Sequence, residues 1–507
     1  MAEGNGQRAV GERDNDDEST GETRRVRAKN VMVTGGCGFI GSAFVRYLLE
    51  ETKTKGNEDR GREHGERMEC GGGARRWKEE EEDEEMRKTS FGVEMDAKVV
   101  VLDAISYCST SKNLLDESIA QFEDRLEVVR GDVRDAALVS KLLREHRVDC
   151  VVHFAAETHV DNSFEDALHF TKSNIEGTHV LLECCRRAGE AATSTSDSGK
   201  DQGETKSAAV VKRFVHVSTD EVYGESEARG GVPSTEEDAM RPSSPYAATK
   251  AAAELLAMSY HRSFGAGVIV TRCNNVYGPR QFPEKLVPKF IMLRATGRKM
   301  PVHGDGMQKR SYLFVDDVAE AHLRILERGS PGHVYNIGSD EEKTVLSIAA
   351  DVDAVVTEAT ATAAAAAAAA TNGYRDGTSC ADDEMACART RAEHIKRDAV
   401  GTSGVVVDFV ADRLRNDRGY LLSSTKLTSL GWSPRTTWQD GLRATADWYL
   451  GRNCYEYWDS FNSNVAAALE PHNARRAAAS PPSTSLPRSS SFSSIPPLNT
   501  TMPMSPR

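Results

Sequence analysis

Thr219, Asp220 and Glu221 place a hydroxyl, an acid and a second acid on consecutive residues, directly after Ser218. Two neighbouring carboxyls can hold opposite protonation states when their surroundings push their pKa values apart, and so offer an acid and a base to one reaction. Downstream, Tyr246 and Lys250 are spaced i, i+4 and share a helix face. Far upstream lies Thr34-Gly35-Gly36-Cys37-Gly38-Phe39-Ile40-Gly41, a glycine-rich turn. Such a turn, opening a helix, is suited to holding phosphate. The three segments together imply redox chemistry and proton shuttling in one site.

The elements around them fit that reading. The acid pair follows Phe214-Val215-His216-Val217, an apolar run that reads as a buried strand. The glycine turn follows the strand Asn30-Val31-Met32-Val33 and precedes a helix apolar on one side, Ala43 to Leu49. Further buried strands are predicted at 98–103, 126–129, 148–154 and 268–271. Short apolar strands alternating with helices predict an α/β fold: a doubly wound parallel sheet, with a smaller C-terminal substrate domain. The expected division is a nucleotide-binding domain over 29–270 and a mainly substrate-binding domain over 271–465. Residues 1–28 and 466–507 are polar or rich in Ser and Pro, and are expected to be disordered. Three stretches interrupt the pattern and read as insertions: 51–96 with its acidic run Glu79 to Glu85, 190–208, and 354–403 with its alanines Ala363 to Ala370.

Bulk properties narrow the class. The 507 residues carry a net charge of −13, the opposite of a nucleic-acid binder's basic footprint. No apolar run approaches the roughly eighteen residues of a membrane helix. The N-terminus has no apolar core for a signal peptide, and its acids argue against a transit peptide. Ten cysteines are scattered without a CxxC pair, which favours reduced thiols in a cytoplasmic enzyme over disulfides or a metal site.

In the glycine turn, Gly35 allows the tight bend, Gly38 lets backbone approach a pyrophosphate, and Gly41 lets helix and strand pack closely. An acid ending the second strand should bind the adenosine ribose. Asp103 is that acid, and it favours NAD over NADP because a 2′-phosphate would meet a negative charge. The insertion explains why it lies beyond the usual spacing of about 20 residues. Asp132, after the third strand, is placed to meet the adenine. Lys250 and the positive nicotinamide would lower the pKa of Tyr246, whose phenolate could then take a hydroxyl proton as hydride leaves the adjacent carbon.

TGGCGFIGS, the YxxxK pair and STDEVYG resemble the extended short-chain dehydrogenase/reductase family, and more narrowly its nucleotide-sugar 4,6-dehydratases. The segments His153 to Ser163, Arg272 to Pro279, Gln281 to Pro288 and Gly304-Asp305-Gly306 agree. The likeness spans about Asn30 to Trp458, and its wording is nearest the plant-type UDP-glucose dehydratase domain. No counterpart of the reductase/epimerase half that accompanies those domains, and that points to rhamnose biosynthesis, is read here. The resemblance implies tightly held NAD, contacted by Gly35, Gly38, Phe39, Ile40 and Gly41, and by Asp103, Asp132 and Val133. Ala155, Ala156, Ser173, Ser218, Tyr246 and Lys250 would complete that site. It implies a glucose nucleotide as substrate, oxidised at C4 with Tyr246 as base and Thr219 bonded to the C4 oxygen. Glu221 would take the C5 proton, Asp220 would protonate the departing C6 hydroxyl, and the hydride would return to C6.

Thr158, Asn275, Lys285, Leu286, Arg310 and Asn336 would contact the sugar nucleotide, with Arg310 and Arg413 suited to diphosphate. Asn416 stands where bacterial dTDP-glucose enzymes usually carry His, which is consistent with UDP-glucose. The family also implies a homodimer through helices near 166–187 and 246–264. Two alternatives stay open. One is an epimerase or decarboxylase of the same family, which would not need Asp220. The other is a non-catalytic NAD-binding regulatory protein.

Overall fold

A computed structural model describes residues 27–62, 92–194, 211–373, 405–412 and 416–451, with a few positions between 457 and 469. The two terminal segments and the middles of the three insertions lie outside the described residues.

Seven strands form the main sheet: β1 (Arg27–Thr34), β2 (Gly92–Asp103), β3 (Leu126–Arg130), β4 (Cys150–His153), β5 (Arg213–Thr219), β6 (Val268–Cys273) and β10 (Val334–Ile337). Their order is β3-β2-β1-β4-β5-β6-β10, and every neighbouring pair is parallel. Strand side chains alternate between faces, so each apolar run feeds two cores. Val31, Val33, Val99, Val101, Val215 and Ile269 enter one core, against the helices Phe39–Arg62 and Val315–Arg328. Met32, Val100, Leu102, Val151, Phe214 and Val270 enter the other, against Ala136–Glu145, Gly177–Ser194 and Pro245–Phe264. Burying one such side chain is worth roughly 1.5–3 kcal/mol. The sheet reverses its winding between β1 and β4, where open α/β sheets place their ligand crevice.

Local signals fix the helix that carries Tyr246 and Lys250. Ser244 caps it, its hydroxyl accepting from Ala247 N at 3.1 Å, and Pro245 opens it. Gly265, at φ +67°, ends it by donating to His261 O at 2.9 Å.

The smaller unit is built around Tyr277, Phe290, Ile291, Trp438, Leu442 and Trp458. It holds β7 (Asn275–Tyr277), β9 (Lys309–Phe314) and β11 (Glu342–Thr344) in one sheet. A second pair joins β8 (Met300–His303) to β12 (Val407–Val410). Between them the chain returns to the main sheet through the helix Val315–Arg328 and β10.

The edges of the expected insertions move. The first helix continues to Arg62 and β2 begins at Gly92, because Arg27 and Ala28 pair with Gly92 and Val93 across a register shift. The helix starting at Gly177 runs to Ser194. The helix Val345–Gly373 carries the chain into the alanine run. Its first turns dock through Ile348, Ala349, Val352 and Val356, while Ala363 and Ala365 are exposed.

Candidate active site

A cleft of about 630 Å³ opens at the carboxyl ends of the main strands and is closed over by the smaller unit. At its floor the glycine turn is as tight as its spacing suggests. Gly35 has φ +70°, and a Cβ there would lie 2.6 Å from Ala155 N. A Cβ on Gly41 would lie 2.3 Å from Gly35 O. Asp103 is buried beside the turn. It accepts from Cys37 N at 2.9 Å, Ile105 N at 2.7 Å and Ser109 Oγ at 3.1 Å. Burial raises its pKa despite those donors. Asp132 also lines the cleft, but Arg134 grips it with Nη2 at 2.5 Å and Nε at 3.0 Å, which holds the carboxyl below its usual range. Phe39, Ile40, Val133, Ala155, Ala156 and Ser173 line the same region. The Ser218 hydroxyl is buried there with no hydrogen-bond partner among the described residues. A cradle without room for a Cβ, a strand-end acid and an orphan hydroxyl fit a dinucleotide.

Next along the cleft stand the acid pair and the Tyr/Lys pair. Thr219, Asp220, Tyr246 and Lys250 are all buried, and Glu221 is half-buried. Thr219 Oγ donates to Asp220 Oδ1 at 3.1 Å, and Asn274 Nδ2 donates to Asp220 Oδ2 at 2.7 Å. Burial pushes Asp220 up to about 6, against those hydrogen bonds and the Arg310 charge. Burial, and then the Asp220 charge, push Glu221 up to about 7. Two carboxyls poised near neutrality can divide into an acid and a base.

Burial, and after it the Glu221 charge, raise the pKa of Tyr246, with Thr219 opposing the rise. The Lys250 ammonium donates to Val217 O at 2.6 Å, and burial brings its own pKa down to about 8.

The expected sugar-nucleotide residues converge on the outer part of the cleft, with two exceptions. Lys285 Nζ donates to Thr158 O at 3.0 Å, and Leu286 and Asn275 also line the cleft. The Arg310 guanidinium lies 5.0 Å from the centre of the Tyr420 ring. Asn416 lines the far end and donates to Asp412 Oδ1 at 2.8 Å. Asn336 is not among the cleft-lining residues. It is fully buried, accepts from Tyr223 OH at 2.8 Å and donates to Ser234 O at 2.9 Å. Its buried amide ties β10 to distant loops. Arg413 lies outside the described residues.

Several cleft residues escaped the sequence reading. Asn274 reaches Asp220, Tyr420 backs Arg310, and Arg134 holds Asp132. Glu284, almost fully buried, lies 3.8 Å from Lys285 Nζ and 4.0 Å from His159 Nε2. The Asn274-Asn275 doublet at the end of β6 was the available signal for Asn274.

A glycine-turn parallel sheet with a buried Tyr/Lys pair at its crevice defines an extended short-chain dehydrogenase/reductase. The family profile described as GDP-mannose 4,6 dehydratase matches residues 92–445. The chain belongs to this family, in its nucleotide-sugar 4,6-dehydratase branch.

It is 41% identical over 377 residues to a trifunctional protein of Arabidopsis thaliana. That protein is named as a UDP-glucose 4,6-dehydratase, UDP-4-keto-6-deoxy-D-glucose 3,5-epimerase and UDP-4-keto-L-rhamnose reductase. The match covers 74% of this chain and 46% of that protein, so the chain spans about half the length of this relative. It is 33% identical to the dTDP-D-glucose 4,6-dehydratase of Mus musculus, over 88% of this chain and 93% of the mouse protein. Among solved structures, a dTDP-glucose 4,6-dehydratase from Streptomyces venezuelae with NAD bound superposes with a TM-score of 0.57 at 31% identity. It covers 85% of this chain and 99% of the other.

Proposed function

We propose that this chain converts a glucose nucleotide, UDP-glucose or dTDP-glucose, to its 4-keto-6-deoxyglucose product by 4,6-dehydration. The observation that carries the reading is the Thr219-Asp220-Glu221 triplet. Thr219 and Asp220 are buried and Glu221 half-buried, and both carboxyls are raised toward neutrality. A simple alcohol oxidation or a 4-epimerisation needs neither acid. An elimination needs a base at C5 and an acid at C6.

NAD, when bound, supplies the hydride acceptor and donor. The glycine turn, Asp103 and Ser218 would hold it. Tyr246 and Thr219 handle the C4 hydroxyl proton. Glu221 removes the C5 proton once a C4 ketone has acidified it, and later returns a proton there. Asp220 protonates the departing C6 oxygen. Asn274 and Arg310 steady the two carboxyls. Lys285, Thr158, Arg310 and Asn416 would orient the sugar nucleotide, with Arg413 as a further diphosphate ligand. Asn416 supports uridine as the base.

We infer a homodimer through the helices near 166–187 and 246–264, where Leu168, Leu255 and Phe264 are exposed. Among the described residues no helix is long and apolar enough to cross a membrane, and the described cysteines are free. These features support a cytoplasmic place. Enzymes that epimerise or reduce a 4-keto sugar nucleotide, as the Arabidopsis relative's name describes, would consume the product.

The test is mass spectrometry of UDP-glucose and dTDP-glucose incubated with the purified chain and no added cofactor. Loss of one water supports the reading, and the rate ratio assigns the base. Unchanged substrate mass from both nucleotides would overturn it.

A further inference from the structure

The proposed elimination needs Asp220 protonated, and a carboxyl has two oxygens on which that proton can sit. Their surroundings differ. Oδ1 faces the Thr219 hydroxyl at 3.1 Å, and Oδ2 faces the Asn274 amide nitrogen at 2.7 Å. A hydroxyl can accept a hydrogen bond as well as donate one. An amide nitrogen only donates. Asp220 is 3% exposed, so solvent has little access to either oxygen.

The amide can face Asp220 in one orientation only. Its oxygen accepts from Ser339 N at 3.3 Å, and its nitrogen donates a second time, to Tyr420 O at 3.2 Å. Turned over, it would set its oxygen against two acceptors and its nitrogen against an N–H. In a buried site each such mismatch is costly. The side chain is also wedged from behind. A Cβ added at Gly338 would lie 3.0 Å from Asn274 Oδ1 and 2.8 Å from Leu422 Cβ. Asn274 itself is buried, and its backbone N–H donates to Ile337 O at 3.0 Å. The segment after β10 and the Tyr420 loop therefore fix what Asp220 Oδ2 meets.

We propose that Asn274 is a positioning residue for the general acid: its locked amide bars the proton from Asp220 Oδ2 and keeps it on Oδ1, beside Thr219. The inference rests on the dehydratase reading above. Oδ1 lies on the side of the residue assigned to the C4 oxygen. As Glu221 takes the C5 proton, the C5–H electron pair forms the C5–C6 double bond. The C6–O6 bond breaks, and the Oδ1 proton joins O6 as water leaves. Asp220 is left as a carboxylate, the form that an amide donor favours. It takes up one proton before the next turnover, which matches the one released from O4.

The first test needs no turnover. The carbonyl stretch of protonated Asp220 is found in the infrared spectrum, below its titration at about 6, as the band lost in Asp220→Asn. With the proton on Oδ1, the carbonyl oxygen is Oδ2, which accepts from Asn274. Asn274→Ala should raise that band by removing the donor, and Thr219→Val should leave it in place. A band raised by Thr219→Val and unmoved by Asn274→Ala would overturn the proposal. If Asn274→Ala does not fold, Thr219→Val decides alone, because a raised band there puts the proton on Oδ2.

Turnover gives a second readout. Asn274→Ala should oxidise C4 at the wild-type rate but eliminate water at least about tenfold more slowly, the worth of one hydrogen bond to a charged group. Reduced cofactor should then accumulate, with KM unchanged. Equal slowing of both steps would make Asn274 a structural residue and overturn its role toward the acid. If neither nucleotide is dehydrated, the reaction assignment fails, while the infrared comparison still locates the proton.

Discussion

Asp220 and Glu221 carry the account at the scale of single residues. Asp220→Asn keeps the shape and removes the proton donor. Turnover should slow by roughly 10²–10⁴-fold, while oxidation at C4 survives. Single-turnover absorbance should then show reduced cofactor accumulating. Tyr246→Phe should show none, because the first proton has no acceptor. Near-normal dehydration by Asp220→Asn would return that acid to a structural role. The raised pKa values have a further consequence. A carboxyl whose folded pKa exceeds its unfolded value binds more protons folded than unfolded, so stability falls as pH rises through that window. Here the window runs from the ordinary carboxylate range to about 6 for Asp220 and about 7 for Glu221. Thermal unfolding should thus show Asp220→Asn gaining on wild type between pH 4 and pH 7. An unchanged difference would contradict the burial of that charge. The acid pair, the Tyr/Lys pair and Asp103 were legible because they are read from consecutive or fixed-spacing positions. Asn274 and Tyr420 were not, because Asn274 meets Asp220 across 54 positions and the Tyr420 carbonyl across 146.

Elements decide what those residues can reach. A Cβ at Gly41 would press on Gly35 O, forcing the helix Phe39–Arg62 away from the turn. Gly41→Ala should weaken NAD binding by more than about tenfold, since roughly 1.4 kcal/mol suffices for that. Isothermal titration with NAD checks it, and unchanged affinity would mean the turn yields. Asn336 makes the opposite case. The sequence resemblance placed it against substrate, yet its position inside β10 buries its amide among Tyr223, Ser234 and Ser423. Asn336→Ala should cost about 1–3 kcal/mol of stability by leaving buried groups unpaired. KM for the sugar nucleotide should be nearly unchanged in the protein that folds. A raised KM with unaltered unfolding would restore a substrate contact. Six strands of the main sheet were readable from short apolar runs, whereas β10 and the strands of the smaller unit were not singled out. Strand and helix ends were less readable, because the pairing of Arg27–Ala28 with Gly92–Val93 and the docking of Ile348 and Val352 are tertiary facts.

At the scale of the whole molecule, the parallel sheet brings its strand ends to one crevice and the smaller unit covers it. The chain passes between the two units after β6, after β9 and again after β10, so a linear cut at residue 270 does not separate them. The insertion between Arg62 and Gly92 joins a helix to its own neighbouring strand, and its acidic sequence offers little to bury. Replacing residues 64–90 by a short linker should leave activity largely intact, because loop-closure entropy changes slowly with length. Loss of soluble, active protein would show that the segment packs or binds.

The most direct test of the whole account follows one atom. Glucose nucleotide carrying deuterium at C4 is incubated with the purified chain without added cofactor, and the product is read by mass spectrometry and NMR. Oxidation, elimination and reduction in one site predict a product lighter by one water, with a ketone at C4 and the deuterium at C6. Deuterium still at C4, in an epimer or in unchanged substrate, would contradict it.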